Sequence, residues 1–278
     1  MKLKHSLIAL AAAAIAGSAM AAPTITNLDG TFSFSGLDYS SVGQGLVTSY
    51  DITSASPTGT VDPFTLKFQA NSTGIIDGNG IDISPALIPG LNTTYEYTIF
   101  LTVQETVTCL AAVGPATCGI AAYNIVSGTY DVYYDTNPGT FANYTTGTGF
   151  TNGTLLLSGN LSTGTPIPVF PGLTNPGDNT IGTTFFGDVD FTNLTYINPA
   201  LTTTSASSTL QFGTTQTNGF IPPASFDGVA VTPTTNSNFF FQADSNQTVQ
   251  AIPEPGSLAL FSLAVMGLGL VSRRSKKV

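Results

Sequence analysis

The sequence of 278 residues has no tryptophan, one histidine and few charged residues, and their distribution along the chain is uneven. His5 and six of the seven Lys and Arg residues lie close to the two ends, so residues 22–250 contain a single cation, Lys67. Sixteen carboxylates less Glu254 leave fifteen acids against that one base, a net charge of about −14 for this span. Nucleic-acid interfaces draw affinity from Lys and Arg that neutralise phosphates, so nucleic acid is excluded as a partner.

The same absences argue against catalysis. Serine and threonine are abundant, but a nucleophilic hydroxyl needs a base, and Lys67 lies in an alternating strand pattern that turns it toward solvent. A glycosidase needs two carboxylates: Asp188 and Asp190 would lie about 6.6 Å apart on one strand face, and Asp131 and Asp135 about twice as far. Acids on exposed strands more often protect sheet edges from aggregation. The sequence therefore predicts a protein that is not an enzyme.

The first 21 residues have the features of a secretory signal peptide. Lys2 and Lys4 supply a positive start, residues 7–16 supply a short apolar core, and Ala19 and Ala21 are the small residues that signal peptidase reads. We therefore predict cleavage after Ala21. The apolar stretch is too short to favour a permanent span of a hydrocarbon core about 30 Å thick. A buried N-terminal helix of the mature domain is the alternative.

Residues 252–278 contain three parts in a fixed order. Pro253-Glu254-Pro255 comes first and cannot be helical throughout, because two prolines fix φ and remove backbone donors. Residues 256–272 are uncharged and reach about 25 Å as a helix, a short span that local thinning and snorkelling accommodate. The positive-inside rule keeps the basic stop that follows in the cytoplasm. This stop consists of Arg273, Arg274, Lys276 and Lys277.

Together with the N-terminal signal, this order closely resembles the PEP-CTERM sorting signal of exopolysaccharide-producing Gram-negative bacteria. The resemblance covers only this C-terminal tail. It implies an exosortase, an integral-membrane transpeptidase-like partner that recognises Pro253-Glu254-Pro255 and removes the tail. It also implies export across the inner membrane, transient anchoring there, and a final place at the cell surface or in the extracellular matrix. A plain C-terminal anchor, the alternative, would need only the apolar run and the basic stop.

Cys109 and Cys118 are the only cysteines. In an exported protein, so close a pair is predicted to close a small disulfide loop through Gly114 and Pro115, with free thiols as the alternative. Two cysteines without a histidine make a poor metal site.

Residues 77–82 are a possible calcium loop, since Asp77, Asn79 and Asp82 supply oxygen ligands in a glycine-rich turn. The loop fails the EF-hand pattern, because Ile81 occupies the fifth position and Ile88 the twelfth. A hairpin turn explains the same residues. We therefore expect no cofactor, with calcium as the alternative.

The middle of the chain alternates apolar and polar residues, which is typical of β-strands. In residues 94–104, the apolar side chains from Tyr95 to Val103 point to one face and the polar ones, such as Glu96 and Thr98, to the other. The same pattern predicts strands at residues 31–34, 64–68, 129–134, 153–157, 185–197, 209–212 and 239–242. Turn chemistry occurs at residues 57–59, 77–80, 137–139 and 175–178.

The predicted fold class is therefore all-β. We expect a single antiparallel β-sandwich-like domain, favoured over a sheet closed into a ring, together with the signal peptide and a C-terminal transmembrane sorting helix. The predicted domains are the signal peptide (1–21), an extracellular all-β domain (22–245), a polar linker (246–251) and the sorting signal (252–278).

The remaining surface is rich in Thr, Asn, Ser, Gln, Gly and Tyr, which can bind sugar hydroxyls without fixed charge. With the signal peptide and tail, residues 127–137 (SGTYDVYYDTN) and 153–159 (GTLLLSG) are similar to the flocculation-associated group of PEP-CTERM proteins. That resemblance implies a role in holding cells and exopolysaccharide together as flocs.

We therefore predict a non-catalytic surface or matrix protein whose partners are signal peptidase, an exosortase, exopolysaccharide and, transiently, the inner membrane. A carbohydrate- or calcium-binding surface module is the alternative. Ice binding fits less well, since the threonine-rich strands form no regular Thr-x-Thr array.

Overall fold

The chain is built from antiparallel β-strands, as the alternating sequence pattern predicts. A computed structural model of the protein describes residues 22–50, 61–114, 117–161, 167–169, 182–201, 206–214, 220–231 and 238–251. No α-helix occurs in these ranges, which contain two single turns of 3-10 helix, Pro85–Leu87 and Pro138–Thr140. The strands are β1 (Thr24–Asn27), β2 (Gly30–Ser33), β3 (Gly36–Thr48), β4 (Val61–Ile76), β5 (Glu96–Gly114), β6 (Thr117–Asp135), β7 (Thr154–Leu161), β8 (Ile167–Val169), β9 (Gly182–Asp188), β10 (Phe191–Thr192), β11 (Ile197–Asn198), β12 (Ala206–Thr214), β13 (Ser225–Phe226), β14 (Val229–Ala230) and β15 (Phe239–Ala251).

One curled sheet of ten strands dominates the fold. Its strand order is β10-β7-β9-β12-β15-β3-β4-β5-β6-β8, and β7 also pairs with β6. Because β7 contacts β9 at Leu161↔Gly187 and β6 along most of its length, the hydrogen-bonded strands run in a complete circuit. The all-β prediction is thus confirmed. The sheet nevertheless differs from the two separate facing sheets expected of a sandwich, because its strands stay paired around the curl.

The inner face of the curled sheet carries the core. Tyr95, Tyr97, Ile99, Leu101 and Val103 are each at most 1% exposed, so the face assigned to them from alternation is confirmed. Tyrosines fill much of this interior, and hydrogen bonds satisfy the hydroxyl groups of two of them, as is usual for buried tyrosines. The Tyr39 hydroxyl donates to Gln247 Oε1 over 2.9 Å, and the Tyr130 hydroxyl donates to the Asp188 carbonyl over 3.0 Å.

A small sheet of order β11-β1-β2 closes one end of the curled sheet, which we call the capped end. Ile25 and Ile197 pack from this small sheet into the core. Asp29 connects the turn between β1 and β2 to the rest of the domain. Its Oδ2 accepts hydrogen bonds from the Gly90 backbone N–H over 2.9 Å and from the Tyr95 hydroxyl over 2.8 Å.

Part of the outer face is also covered, which alternation alone does not predict. The β13–β14 hairpin packs Phe226 against Leu46 and Phe240, which point outward. Residues 141–150 lie beside this hairpin, and their backbone forms hydrogen bonds with polar side chains that point outward from the sheet. The Tyr144 carbonyl, for example, accepts a hydrogen bond from Gln44 Nε2 over 2.7 Å. Polar residues on the covered outer face are therefore as buried as those inside.

The structure corrects two predicted segments and adds a long strand that was not predicted. Residues 246–251, predicted as a linker, form the second half of β15 and pair with β12 as far as Ala251. The predicted strand at 185–197 consists of β9, β10 and β11, three separate short strands. Strand β3, of 13 residues, was not predicted. Its glycines and its irregular register opposite β4 interrupt the alternation of apolar and polar residues.

Candidate functional site

The sorting tail continues directly from a central strand of the sheet. Strand β15 pairs with β12 up to Ala206↔Ala251 and with β3 up to Gly36↔Thr248. Its inward residues near the end are buried, with Gln247 1% and Val249 3% exposed. Only Ile252 stands between Ala251, the last residue of β15, and Pro253 of the predicted motif.

The two ends of the described domain leave it at neighbouring points. The Phe34 backbone N–H donates to the Pro23 carbonyl over 2.8 Å, and the Val249 N–H donates to the Ser35 carbonyl over 2.6 Å. Phe34 and Ser35 are adjacent, and adjacent Cα atoms lie about 3.8 Å apart. The N-terminal and C-terminal exits therefore both lie at the capped end.

The predicted processing residues lie outside the described residues. These are Ala19 and Ala21 of the signal peptide, the motif Pro253, Glu254 and Pro255, and the basic stop at residues 273–277. The predicted transmembrane helix lies there as well. Within the described part of the chain, no helix has the length and apolar character needed to cross a membrane.

The carboxylates that were considered for catalysis lie at strand ends, except Asp131, which lies within β6 opposite Phe100. Asp188 is the last residue of β9, Asp190 immediately precedes β10, and both side chains are exposed. The Asp190 carboxylate accepts a hydrogen bond from the Asn160 amide. Asp135 at the end of β6 accepts from Thr140 Oγ1 over 2.8 Å and caps the turn that follows. Lys67 lies half-buried on the outer face, opposite Thr102.

The loop considered for calcium uses its first carboxylate to close its own turn. Asp77 Oδ1 accepts from the backbone N–H groups of Asn79 over 2.8 Å and Ile81 over 3.0 Å. These backbone bonds lower the pKa of Asp77, because they stabilise the carboxylate. No group of three or more His, Cys, Asp or Glu side chains able to hold a metal occurs among the described residues.

Cys109 lies on the inner face of β5 and is disulfide-bonded. Cys118, its predicted partner, lies on β6 of the same hairpin, opposite Ala112 in the register. The side chain of Cys118 lies outside the described residues.

The burial of two glutamates was not predicted from the sequence. Glu96 is on the outer face but 2% exposed, because residues 141–150 cover it and the Ala142 N–H donates to its Oε1 over 2.8 Å. Burial raises the pKa of Glu96 to about 7; the bond from Ala142 opposes this rise and the charge of Asp135 adds to it. The cover comes from a distant segment, so no local pattern predicts it.

Glu105 is on the inner face, 8% exposed, between Val103 and Val107. Its carboxyl group makes no hydrogen bond within the described part of the chain, and its cross-strand partners are Phe64 and Ile125. Burial raises the pKa of Glu105 to about 7. The burial of Glu105 could have been predicted, because the odd-numbered residues of β5 point inward and this series continues through residue 105.

An uncovered area of the outer face carries hydroxyl and amide groups in rows across four strands. One row is set by the register Lys67↔Thr102↔Thr129↔Asn160, and the next by Thr65↔Gln104↔Ser127. We call these seven residues the outer polar face. All are exposed or half-buried, and neighbouring strands lie about 4.8 Å apart. Apart from Lys67 these side chains are uncharged, although the Asp190 carboxylate is bonded to Asn160, and they present both donors and acceptors.

Comparison with known proteins identifies only the tail. The PEP-CTERM protein-sorting motif matches residues 251–274. No curated protein and no solved structure matches the chain.

The matched segment begins at Ala251, the last residue of β15, and includes Pro253-Glu254-Pro255, the apolar run and the first two basic residues. The motif implies exosortase-dependent sorting to the cell surface, with export to the envelope or surface of a Gram-negative bacterium. The chain is a PEP-CTERM sorting domain-containing protein.

Proposed function

We propose that this chain is a non-catalytic surface or matrix protein that holds cells and exopolysaccharide together as flocs or biofilm. In this function signal peptidase removes residues 1–21, the tail anchors the chain transiently in the inner membrane, and an exosortase removes the tail. The β-domain then acts by contact and needs no cofactor. The observation that carries the proposal is the sorting motif at residues 251–274, joined without a spacer to a folded, acidic β-domain.

The outer polar face supports contact with a polysaccharide. Thr102, Thr129 and Ser127 make no side-chain hydrogen bond within the described ranges, so their hydroxyl groups are available to sugar hydroxyls. Phe191, 41% exposed, lies opposite Ser158 at the margin of these rows and offers an apolar ring. An acidic domain repels anionic polymers, so an uncharged polysaccharide fits this surface best.

Deletion of residues 253–278 tests the sorting step. The expected result is loss of the normal surface-bound pool, because neither the motif nor the anchor is present. The distribution of the protein between membrane, surface and medium is measured by fractionation. Surface display that is unchanged by the deletion would contradict exosortase-dependent sorting.

The cohesion step is tested in a strain that lacks the protein and is complemented with variants. Loss of floc formation in the deletion strain is the first expected result. Thr102→Val with Thr129→Val keeps side-chain shape but removes two hydroxyl groups, and each lost hydrogen bond costs about 0.5–1.5 kcal/mol. Binding to the strain's purified exopolysaccharide should weaken about tenfold.

Thr26→Val with Thr31→Val is the control, since these threonines are likewise cross-strand partners, on the small sheet at the capped end, where their hydroxyl groups bond each other over 2.9 Å. This control should leave exopolysaccharide binding unchanged. Equal effects of both pairs, or flocculation that persists without the protein, would contradict the proposed role.

The second candidate is a dedicated carbohydrate-binding module, which the same outer polar face favours. Two results together would favour this alternative. The purified full chain would bind one defined neutral glycan saturably, and the strain that lacks the protein would flocculate normally.

A further inference from the structure

The end of β15 restricts how far the processing motif can extend from the folded domain. Residues 252–255 separate Ala251 from the apolar run that begins at Gly256. Four extended residues span at most about 14 Å, and the polar headgroup layer on one side of a bilayer takes up roughly 5–8 Å of that distance. While the tail is still in the membrane, the domain therefore lies within about 10 Å of the headgroups.

Fraying of β15 can extend this reach only by about half. Release of Gln250 and Ala251 adds two residues, or about 7 Å. Further release would remove Val249 from its bond to Ser35 and then withdraw Gln247, which is 1% exposed and accepts a hydrogen bond from Tyr39, from the core. The buried hydrogen bonds and apolar contacts of the strand oppose that step.

The surface held near the membrane is the capped end. The N-terminal exit at Pro23 and the C-terminal exit at Ala251 both lie there. Three large aliphatic side chains are exposed on its loops: Leu28 (62%), Ile81 (64%) and Leu194 (62%). Lys67, the only cation of the described residues, lies in mid-sheet, so no cationic side chain described at this end attracts anionic lipid headgroups. These features favour a protein partner over a lipid surface.

We infer that the capped end is the surface by which the folded domain contacts the exosortase while Pro253-Glu254-Pro255 is processed. The inference rests on the proposed exosortase-dependent sorting. The short connection from Ala251 positions the motif, because an enzyme that surrounds residues 253–255 has to occupy the narrow gap between the membrane and this end of the sheet. The loops that carry Leu28, Ile81 and Leu194 then lie against that enzyme.

Site-specific photo-crosslinking in the full chain tests this inference. A photoreactive phenylalanine analogue replaces Leu28, Ile81 or Leu194 in cells that contain a catalytically inactive exosortase. Val126, 55% exposed, is the matched control, since it lies about nine residues, or roughly 30 Å, along β6 from the capped end. Crosslinks to the exosortase should be at least fivefold more abundant from the capped end than from Val126.

A spacer provides the second arm. Twelve Gly and Ser residues inserted between Ala251 and Ile252 add a root-mean-square reach of about 20 Å, so the capped-end crosslinks should fall at least threefold while the tail is still removed by active exosortase. Equal crosslinking from Val126, crosslinks to lipid alone, or crosslinks unaffected by the spacer would overturn the inference. A wild-type tail that active exosortase never removes would instead overturn the proposed sorting itself.

Discussion

Glu105 should make the stability of the domain fall as the pH rises. Its pKa is raised from the ordinary value of 4.5 to about 7 by burial among apolar neighbours. In this case the folded state binds the proton more tightly than the unfolded state, so the stabilising contribution is complete below about pH 4.5 and is lost as the pH rises through about 7. Each pKa unit corresponds to about 1.4 kcal/mol, so the full loss is about 3 kcal/mol.

The perturbation is Glu105→Gln, which keeps the size of the side chain and removes its titration. The free energy of unfolding is measured by urea denaturation and far-UV circular dichroism from pH 4 to pH 8. Relative to wild type, the variant should gain about 3 kcal/mol between these two pH values. Asp82→Asn, which removes an exposed loop carboxylate, is the charge-matched control and should not show this gain. A Glu105→Gln profile parallel to wild type across this range would refute the reasoning.

Two further predictions concern single substitutions that affect packing or hydrogen bonding. In Gly36→Ala the new Cβ would lie 1.9 Å from the backbone oxygen of Gln247, so β3 and β15 must separate, and unfolding midpoints in urea should show a loss of more than 2 kcal/mol. Gly78→Ala, whose nearest neighbouring atom is 3.6 Å away, should stay within about 0.5 kcal/mol of wild type and is the control. Asp29→Ala leaves the Gly90 N–H and the Tyr95 hydroxyl without their acceptor, and the same assay should show a loss of about 1–3 kcal/mol, absent in Asp82→Ala. A neutral Gly36→Ala or Asp29→Ala variant would contradict the packing described at the capped end.

Much of the strand content could be predicted because a period of two is a local property of the sequence. The inner series from Tyr95 to Val103 is buried as predicted, and most of the other alternating runs lie within observed strands. The closure of the sheet could not be predicted. It depends on the pairing of β7 with β9 at Leu161↔Gly187, and the choice of pairing partner has no signal in the sequence of either strand. A sandwich and a closed circuit have the same alternation.

The outer face shows the limit of reasoning from alternation. Glu96 and Thr98 were assigned to the face opposite the core, and the structure places them there, yet both are 2% exposed. The residues that cover them belong to a distant, polar segment, and the Phe150 carbonyl accepts from Thr98 Oγ1 over 2.7 Å. A long-range hydrogen-bonded cover of this kind has no periodic signal. The outer polar face, in contrast, follows from composition and register together.

The most consequential correction is at residues 246–251, because it changes the relation between folding and sorting. A flexible linker would let the tail reach its enzyme whatever the state of the domain. A tail that begins at the end of a strand paired on one side to β12 and bonded on the other to Ser35 is tied to the folded sheet instead. Its inward residues alternate with exposed ones, as Ser245, Gln247 and Val249 show, but two of these three inward residues are polar, so the alternation was not recognised. The Gln247 side chain is buried, and its Oε1 accepts a hydrogen bond from the Tyr39 hydroxyl. Anything that loosens this corner, such as the separation of β3 from β15, should therefore lengthen the reach of the motif and lower stability together, two effects that a true linker would keep apart.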